Sequence, residues 1–299
     1  MTTEFQNTLT RLQFYLESID SANPPEVLAN DLGSIILKLE ELRDSIGGPP
    51  PPPPPPPPVD GSRFLDTQLD GKPLPPFPDM RLSSPRGRRY GYTLTNMNRD
   101  FGGEHIFGVD SAGLLLQGNC DVSNVTITCS GGDGVKIDGG YGRASVKLRR
   151  AFIGGLGMDP GAHADVLQAR GNVEYLLMDG VYAYIPLSIP GTLSNACLIM
   201  DNAQGSNGHT DIRNCIFYGG NRCLMVTDKG SHEDLGTYAF SDTAFIVDAS
   251  SPQYTLLQPG LESRYSFDET CGVYALGADG ICRLLTRDVL GFDLQAWRG

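Results

Sequence analysis

The chain has 299 residues, a formal charge of −12 and a sequence pI near 4.7, a balance that excludes a general phosphate-backbone binder, whose affinity comes from clustered Lys and Arg releasing counterions. Its 37 glycines and 22 prolines, with only 19% charged residues, exclude a body of long charged helices and favour a β-rich fold with many turns. Seven cysteines without CxxC spacing indicate neither a zinc site nor a disulfide framework, and read as small buried apolar residues.

At the N-terminus, Met1-Thr2-Thr3-Glu4 carries no basic segment followed by an apolar core, and eighteen apolar residues never run together, so a soluble chain without signal peptide or membrane insertion is expected. Phe5, Leu9, Leu12, Leu16 and Ile19 are spaced 4, 3, 4 and 3, the pattern of a helix with one narrow apolar seam. After Ser21-Ala22-Asn23-Pro24-Pro25 the seam resumes at Leu28, Leu32, Ile35, Leu39, Leu42 and Ile46, and Gly47-Gly48 ends it. An intramolecular hairpin of residues 1–48 would have little core of its own, so oligomerisation or docking on another protein is expected through these helices.

Pro49 to Pro58 is an unbroken run of prolines, which predicts a polyproline II spacer roughly 31 Å long at about 3.1 Å per residue. Residues 59–106 read as a connecting neck, with Arg86, Arg88 and Arg89 in a solvated loop.

From residue 107 to 249 the chain shows a loose repeat of short apolar strands. One series is anchored at Val125, Val146, Val173, Ile212 and Phe240, separated by 21, 27, 39 and 28 residues. A second runs through Val135, Val166-Leu167, Leu198 and Leu224. Gly-Gly pairs at 131, 139, 154 and 219 mark corners where the backbone bends without a side chain. Two interleaved strand series with alternating inward and outward positions predict an all-β main domain built as a right-handed parallel β-helix, a solenoid preceded by the α-helical anchor and the polyproline linker. The rival β-sandwich calls for two-residue hairpin turns, and Asn207-Gly208 is the one Asn-Gly present. The last segment, 250–299, holds Tyr254, Tyr265, Phe267, Tyr274, Phe292 and Trp297. It reads as a cap for the solenoid end, or as a trimerisation or receptor-contact module.

In this order of parts the chain resembles bacteriophage tailspike and tail-fibre proteins: a helical head, a Pro-rich neck and a pectin-lyase-like β-helix. The resemblance implies a homotrimer anchored to virion tail or adaptor proteins through its N-terminal helices, located in the virion tail and recognising host surface polysaccharide.

The string from Asp159 to Gln168 includes His163, Asp165 and Gln168, which resembles the His-x-Asp-x-x-Gln signature of pectin-lyase-like β-helices. In a strand His163 and Asp165 share a face, where a carboxylate could orient an imidazole for acid or base work. Gln168, Arg143, Arg149 and Asp179, with Lys147, are the candidate ligand contacts on nearby coils. The competing reading makes His163, Asp165 and Gln168 a turn and a polar ladder between coils. Asp133 and Asp138 read as surface acids in preference to a calcium site. His209, Asp211 and Asn214 read as a polar ladder, and His232-Glu233-Asp234 as a solvated loop. No nucleotide-binding glycine pattern, catalytic Ser elbow or metal-ligand set occurs, so no cofactor is expected. Three functions remain open: an adhesive tailspike, a glycan depolymerase (lyase or hydrolase) using His163 and Asp165, and a structural decoration protein of the virion.

Overall fold

The computed structural model describes residues 64–78, 90–107, 109–128, 131–156, 163–185, 193–194, 196–229, 234–248 and 255–298, all within one compact unit, Asp60–Gly299. The expected helices with their seam residues, the polyproline run, Arg86, Arg88, Arg89, His232 and Glu233 lie outside the described residues. Among those described, no helix is long and apolar enough to cross a membrane.

The strands are β1 (Tyr90–Thr95), β2 (Asn98–Phe107), β3 (Ala112–Gln117), β4 (Cys120–Thr128), β5 (Asp133–Asp138), β6 (Ala144–Gly154), β7 (His163–Ala164), β8 (Leu167–Ala169), β9 (Val173–Ile185) and β10 (Leu193–Ser194). They continue with β11 (Ala196–Asp201), β12 (Asn207–Arg213), β13 (Ile216–Gly219), β14 (Arg222–Thr227), β15 (Leu235–Ser241), β16 (Ala244–Val247), β17 (Tyr265–Phe267), β18 (Gly272–Leu276) and β19 (Cys282–Thr286). The fold is all-β with parallel pairing. A first sheet runs β1-β3-β5-β8-β11-β14, and a second contains β2, β4, β6, β9, β12, β13 and β15 to β19. The chain alternates between the two sheets and advances one strand position at each return.

Parallel strands buried on one face demand inward apolar residues at every second position. In β6 the burial alternates with Ala144, Val146 and Leu148 inward and Ser145, Lys147 and Arg149 outward. In the first sheet Val135, Leu167, Leu198 and Leu224 are mutual partners, as the second sequence series predicts. Of the first series, Ile212 and Phe240 stack as anchored. The earlier anchors do not: Val146 lies against Cys120 and Leu176, and Ile212 against Met178. Long strands offer several buried residues of the same parity, so an anchor can slip by two without changing face.

The long strands of the second sheet turn a corner midway. Asn124, Arg150, Gly180, Asn214 and Asp242 occupy this corner on successive strands, with φ of 55°, 50°, 70°, 53° and 45°. A single left-handed residue redirects the strand while the ladder resumes on either side. Four of the five are Asn, Asp or Gly, the types that best tolerate this conformation, and Arg150 is the exception.

The parallel ladder begins earlier than expected. β1 pairs with β3 and β2 with β4, in the stretch assigned to the neck. A register shift between Asp100 and Glu104 and Gly102-Gly103 interrupt the alternation of β2, which hides it in the sequence. The ladder also ends later. β17 and β18 pair in parallel with β15 and β16, and antiparallel β19 then reverses the chain. Val289 and Leu294 are buried in the main core cluster, with Phe292 and Trp297 packed against it. Cys120, Cys197, Cys215, Cys223, Cys271 and Cys282 are buried free thiols.

Residues 64–78 do not form a neck. They cross the outer face of the second sheet as a strap, with Leu65 and Leu69 packed among Tyr182, Ile216, Ala244, Ile246 and Tyr274. Phe77 meets the Tyr182 ring edge-on at 5.3 Å. Backbone bonds fix the strap to β19: Gly71 N–H donates to Cys282 O at 2.9 Å and Cys282 N–H to Lys72 O at 2.8 Å. Leu69 is 1% exposed. Leu69→Ala is therefore expected to cost about 2–5 kcal/mol through lost burial and the cavity left behind. A urea midpoint unchanged from the parent would show that the strap contributes no stability.

Candidate functional site

His163 lies in β7, paired with Leu193 of β10. Asp165, its expected catalytic partner, is 0% exposed. Its N–H donates to Asp133 Oδ1 and its own Oδ1 accepts the Ala196 N–H, both at 2.9 Å. Asp165 thus staples the entry of one first-sheet strand to the next. Its second oxygen, Oδ2, is buried with no hydrogen-bond partner among the described residues. Burial first, then the neighbouring Asp133 charge, pushes its carboxyl well above the ordinary range. The expectation of a substrate-facing His163/Asp165 pair is corrected accordingly: a carboxylate held inside the core has no surface to touch a substrate.

Asp133 is not a surface acid either. It is 3% exposed, and its Oδ2 accepts from Lys136 Nζ at 3.1 Å. Asp138 caps a short 3-10 turn, accepting the Gly140 N–H at 3.0 Å. Among the described residues, no group of three or more His, Cys, Asp or Glu is placed to hold a metal ion. Asp234 is tied down, accepting from Gly236 N–H at 3.0 Å and Arg264 Nη1 at 3.1 Å.

The remaining candidates divide between two faces. Gln168 stands between Lys136 and Ile199 in the first sheet. Arg149 and Asp179 belong to the second sheet, ahead of the corner, where they are register partners, and Arg143 immediately precedes β6. Here the outward residues of β4, β6, β9, β12 and β15 form a grid.

Ions on this grid are paired across neighbouring strands. Arg149 Nη2 lies 3.2 Å from Asp121 Oδ2, Arg213 Nη2 3.1 Å from Asp179 Oδ2, and Arg143 Nη1 3.7 Å from Glu174 Oε1. Tyr175 OH donates to Asp211 Oδ2 at 2.7 Å, and burial followed by this bond raises the phenol above its ordinary range. His209 Nε2 is 2.9 Å from Asp211 Oδ1, and its Nδ1 is 2.8 Å from Thr237 Oγ1. The Tyr175 and His209 rings stack at 6.4 Å with 22° between planes.

The geometry limits the chemistry. Both imidazole nitrogens of His209 are engaged, and both carboxylate oxygens of Asp211 accept bonds. These bonds fix the orientation of the ring and of the carboxylate. What the face offers is a flat array of oriented donors and acceptors with an aromatic pair among them. Asn214, grouped in sequence with His209 and Asp211, belongs instead to the left-handed corner. Tyr175 and Arg213 were not foreseen as contacts; their signal is the alternation in β9 and β12 that places them on the face of Asp179 and Asp211.

No protein-family model matches this chain, and neither the curated proteins nor the solved structures contain a match to it.

Proposed function

We propose that the paired sheets are successive coils of a right-handed parallel β-helix, and that the chain is a bacteriophage tailspike or tail-fibre protein whose body binds host surface polysaccharide without cleaving it. The right hand follows from the near-universal chirality of parallel crossovers. The homotrimer, its seat on virion tail or adaptor proteins through residues 1–48, and the spacer role of Pro49 to Pro58 are parts of the same reading, resting on heptad-like seams and the proline run.

The single observation that carries the binding role is the outward grid of the second sheet. Sugars present vicinal hydroxyls and one apolar ring face. Paired Arg and Asp side chains supply oriented donors and acceptors for the hydroxyls, and Tyr175 with His209 supplies aromatic surface for the ring. The burial of Asp165 favours adhesion over the depolymerase alternative, which relied on that carboxylate.

The test uses the full chain, immobilised and exposed to surface polysaccharides extracted from candidate hosts, with retention and oligosaccharide release followed together. Retention without release is expected, weakened about tenfold or more by Tyr175→Ala, as for a buried aromatic anchor. Released oligosaccharide would turn the reading to catalysis, and equal retention by the variant would move the site elsewhere.

A further inference from the structure

The charges of the grid are balanced and regularly spaced. Arg149 pairs with Asp121 across β6 and β4, and Arg213 pairs with Asp179 across β12 and β9. β4, β6, β9 and β12 are consecutive neighbours in the sheet. Arg149 and Arg213 are both register partners of Asp179, so a guanidinium recurs in one row every second strand, while Asp121 lies two residues off that row as the partner of Lys147. Parallel strands lie about 4.8 Å apart, so the guanidinium groups repeat at ~10 Å, close to the advance of two pyranose rings in an extended chain.

Each guanidinium–carboxylate unit is neutral as a whole. A guanidinium that already faces a carboxylate keeps N–H donors for hydroxyl oxygens, and the carboxylate keeps lone pairs for hydroxyl protons. Such a unit grips a diol well and a second anion poorly. Lys147, which has no ion-pair partner among the described residues, is offset on the same face by Asp211, in the same row two strands away. The field of a chain with a formal charge of −12 further disfavours a polyanion.

Resting on the glycan-binding role of this face, we infer that its ligand is a linear, uncharged polysaccharide lying across the strands, with a disaccharide period matched to the spacing of Arg149 and Arg213 on either side of Asp179. The stacked Tyr175 and His209 rings sit on β9 and β12 four residues before Asp179 and Arg213, about 13 Å along the strands. An extended chain crossing β6, β9 and β12 along the Arg149–Asp179–Arg213 row meets both guanidinium groups in one pass, with the aromatic pair to one side of it.

The experiment measures retention of the full-length protein on neutral probes of increasing length, cello-oligosaccharides and β-mannan oligosaccharides, beside polygalacturonate and heparin as polyanions. Salt is raised from about 0.1 M to about 1 M, which shortens the screening length from ~10 Å to ~3 Å. Expected is retention of a neutral series, rising in steps of two sugars and changing less than about twofold with salt. Arg149→Ala and Arg213→Ala are each expected to weaken it about tenfold, the usual scale for a charge-assisted hydrogen bond, with the folded state checked by unchanged urea midpoints. Polyanion binding that collapses in high salt and is lost in the two Arg variants would overturn the uncharged class while leaving the face as the site. Binding of any probe unchanged in both Arg variants would overturn the face itself. Retention of a host polysaccharide with no neutral probe bound would overturn the disaccharide match alone.

Discussion

Gly134→Val is expected to destabilise the protein by about 3 kcal/mol, at the upper end of overpacking costs, and Ile153→Ala in the same chain should restore the part of that loss that comes from the Ile153 side chain. A Cβ on Gly134 would lie 2.2 Å from Ile153 Cγ2 and 2.7 Å from the Val166 carbonyl oxygen. The same conflict recurs at neighbouring positions: a Cβ on Gly113 would meet Ile127 Cγ2 at 2.3 Å, and one on Gly91 would meet Ile106 Cγ2 at 2.5 Å. Further along the stack the volumes are exchanged. Val166 is the register neighbour of Gly134, and Ala183 pairs with Ile153. Cys197 and Phe217 follow, then Cys223 and Phe245. From Gly134 and Ile153 to Val166 and Ala183 bulk is traded between the sheets, as close packing requires, and the Cys–Phe positions beyond them hold more side-chain volume. Gly134→Val with Ile153→Ala reproduces the Val166–Ala183 combination one position early. Alone, Ile153→Ala should cost about 2–5 kcal/mol. Urea denaturation of the parent, both single variants and the double variant measures the coupling. Simple additivity within about 0.5 kcal/mol would refute the exchange.

That trade explains why part of the architecture was legible in the sequence and part was not. The strand series through Val135, Leu167, Leu198 and Leu224 was readable because each member sits in a short apolar run bounded by turn residues. Val125 and Val146 misled because β4 and β6 pass through a corner, and apolar residues on both sides of Asn124 and Arg150 qualify as anchors. β2 escaped notice because its outward side is polar and its bulge at Phe101 to Gly103 breaks the period of two. The strap was invisible for another reason: Leu65, Leu69, Leu74 and Phe77 follow no strand or helix period, and only the apolar outer face that they cover gives them a role.

The candidate site was legible in the same partial way. Arg149 and Asp179 were found as charged residues near one another in the repeat, and they are register partners. Asp165 was singled out by a short motif, which records a residue type but not the side on which it is spent. Two backbone bonds and complete burial decide that question, and both depend on Asp133 and Ala196 from other turns of the chain. Tyr175 and Asp211 are 36 residues apart, so their bond becomes visible only once β9 and β12 are neighbours.

The buried Asp165 leads to the second large effect, on the pH dependence of stability. Its folded-state pKa is raised by burial and by Asp133, against weaker lowering by the Ala196 N–H, Lys229 and Lys136. Asp133 is raised as well, chiefly by burial, with Lys136 opposing. In the unfolded chain an aspartate titrates near 3.9. Below that value both states carry the proton and the site costs nothing electrostatically. As pH rises past it, the unfolded state loses its proton first, and stability falls by about 1.36 kcal/mol per unit until the folded group also ionises. The stability is thus present at low pH and is lost upward through the raised folded value. Asp165→Asn keeps the acceptor for the Ala196 N–H and removes the titration. As pH rises from about 5 to about 8 the variant should gain on the parent, by at most about 1.36 kcal/mol per pH unit from Asp165 and only until its folded carboxyl ionises, with the release of Asp133 from its charged neighbour included in the same difference. Parallel urea-midpoint curves across that range would mean that Asp165 is ionised in the folded protein throughout, with Lys136 and Lys229 compensating a charge that burial alone would not tolerate.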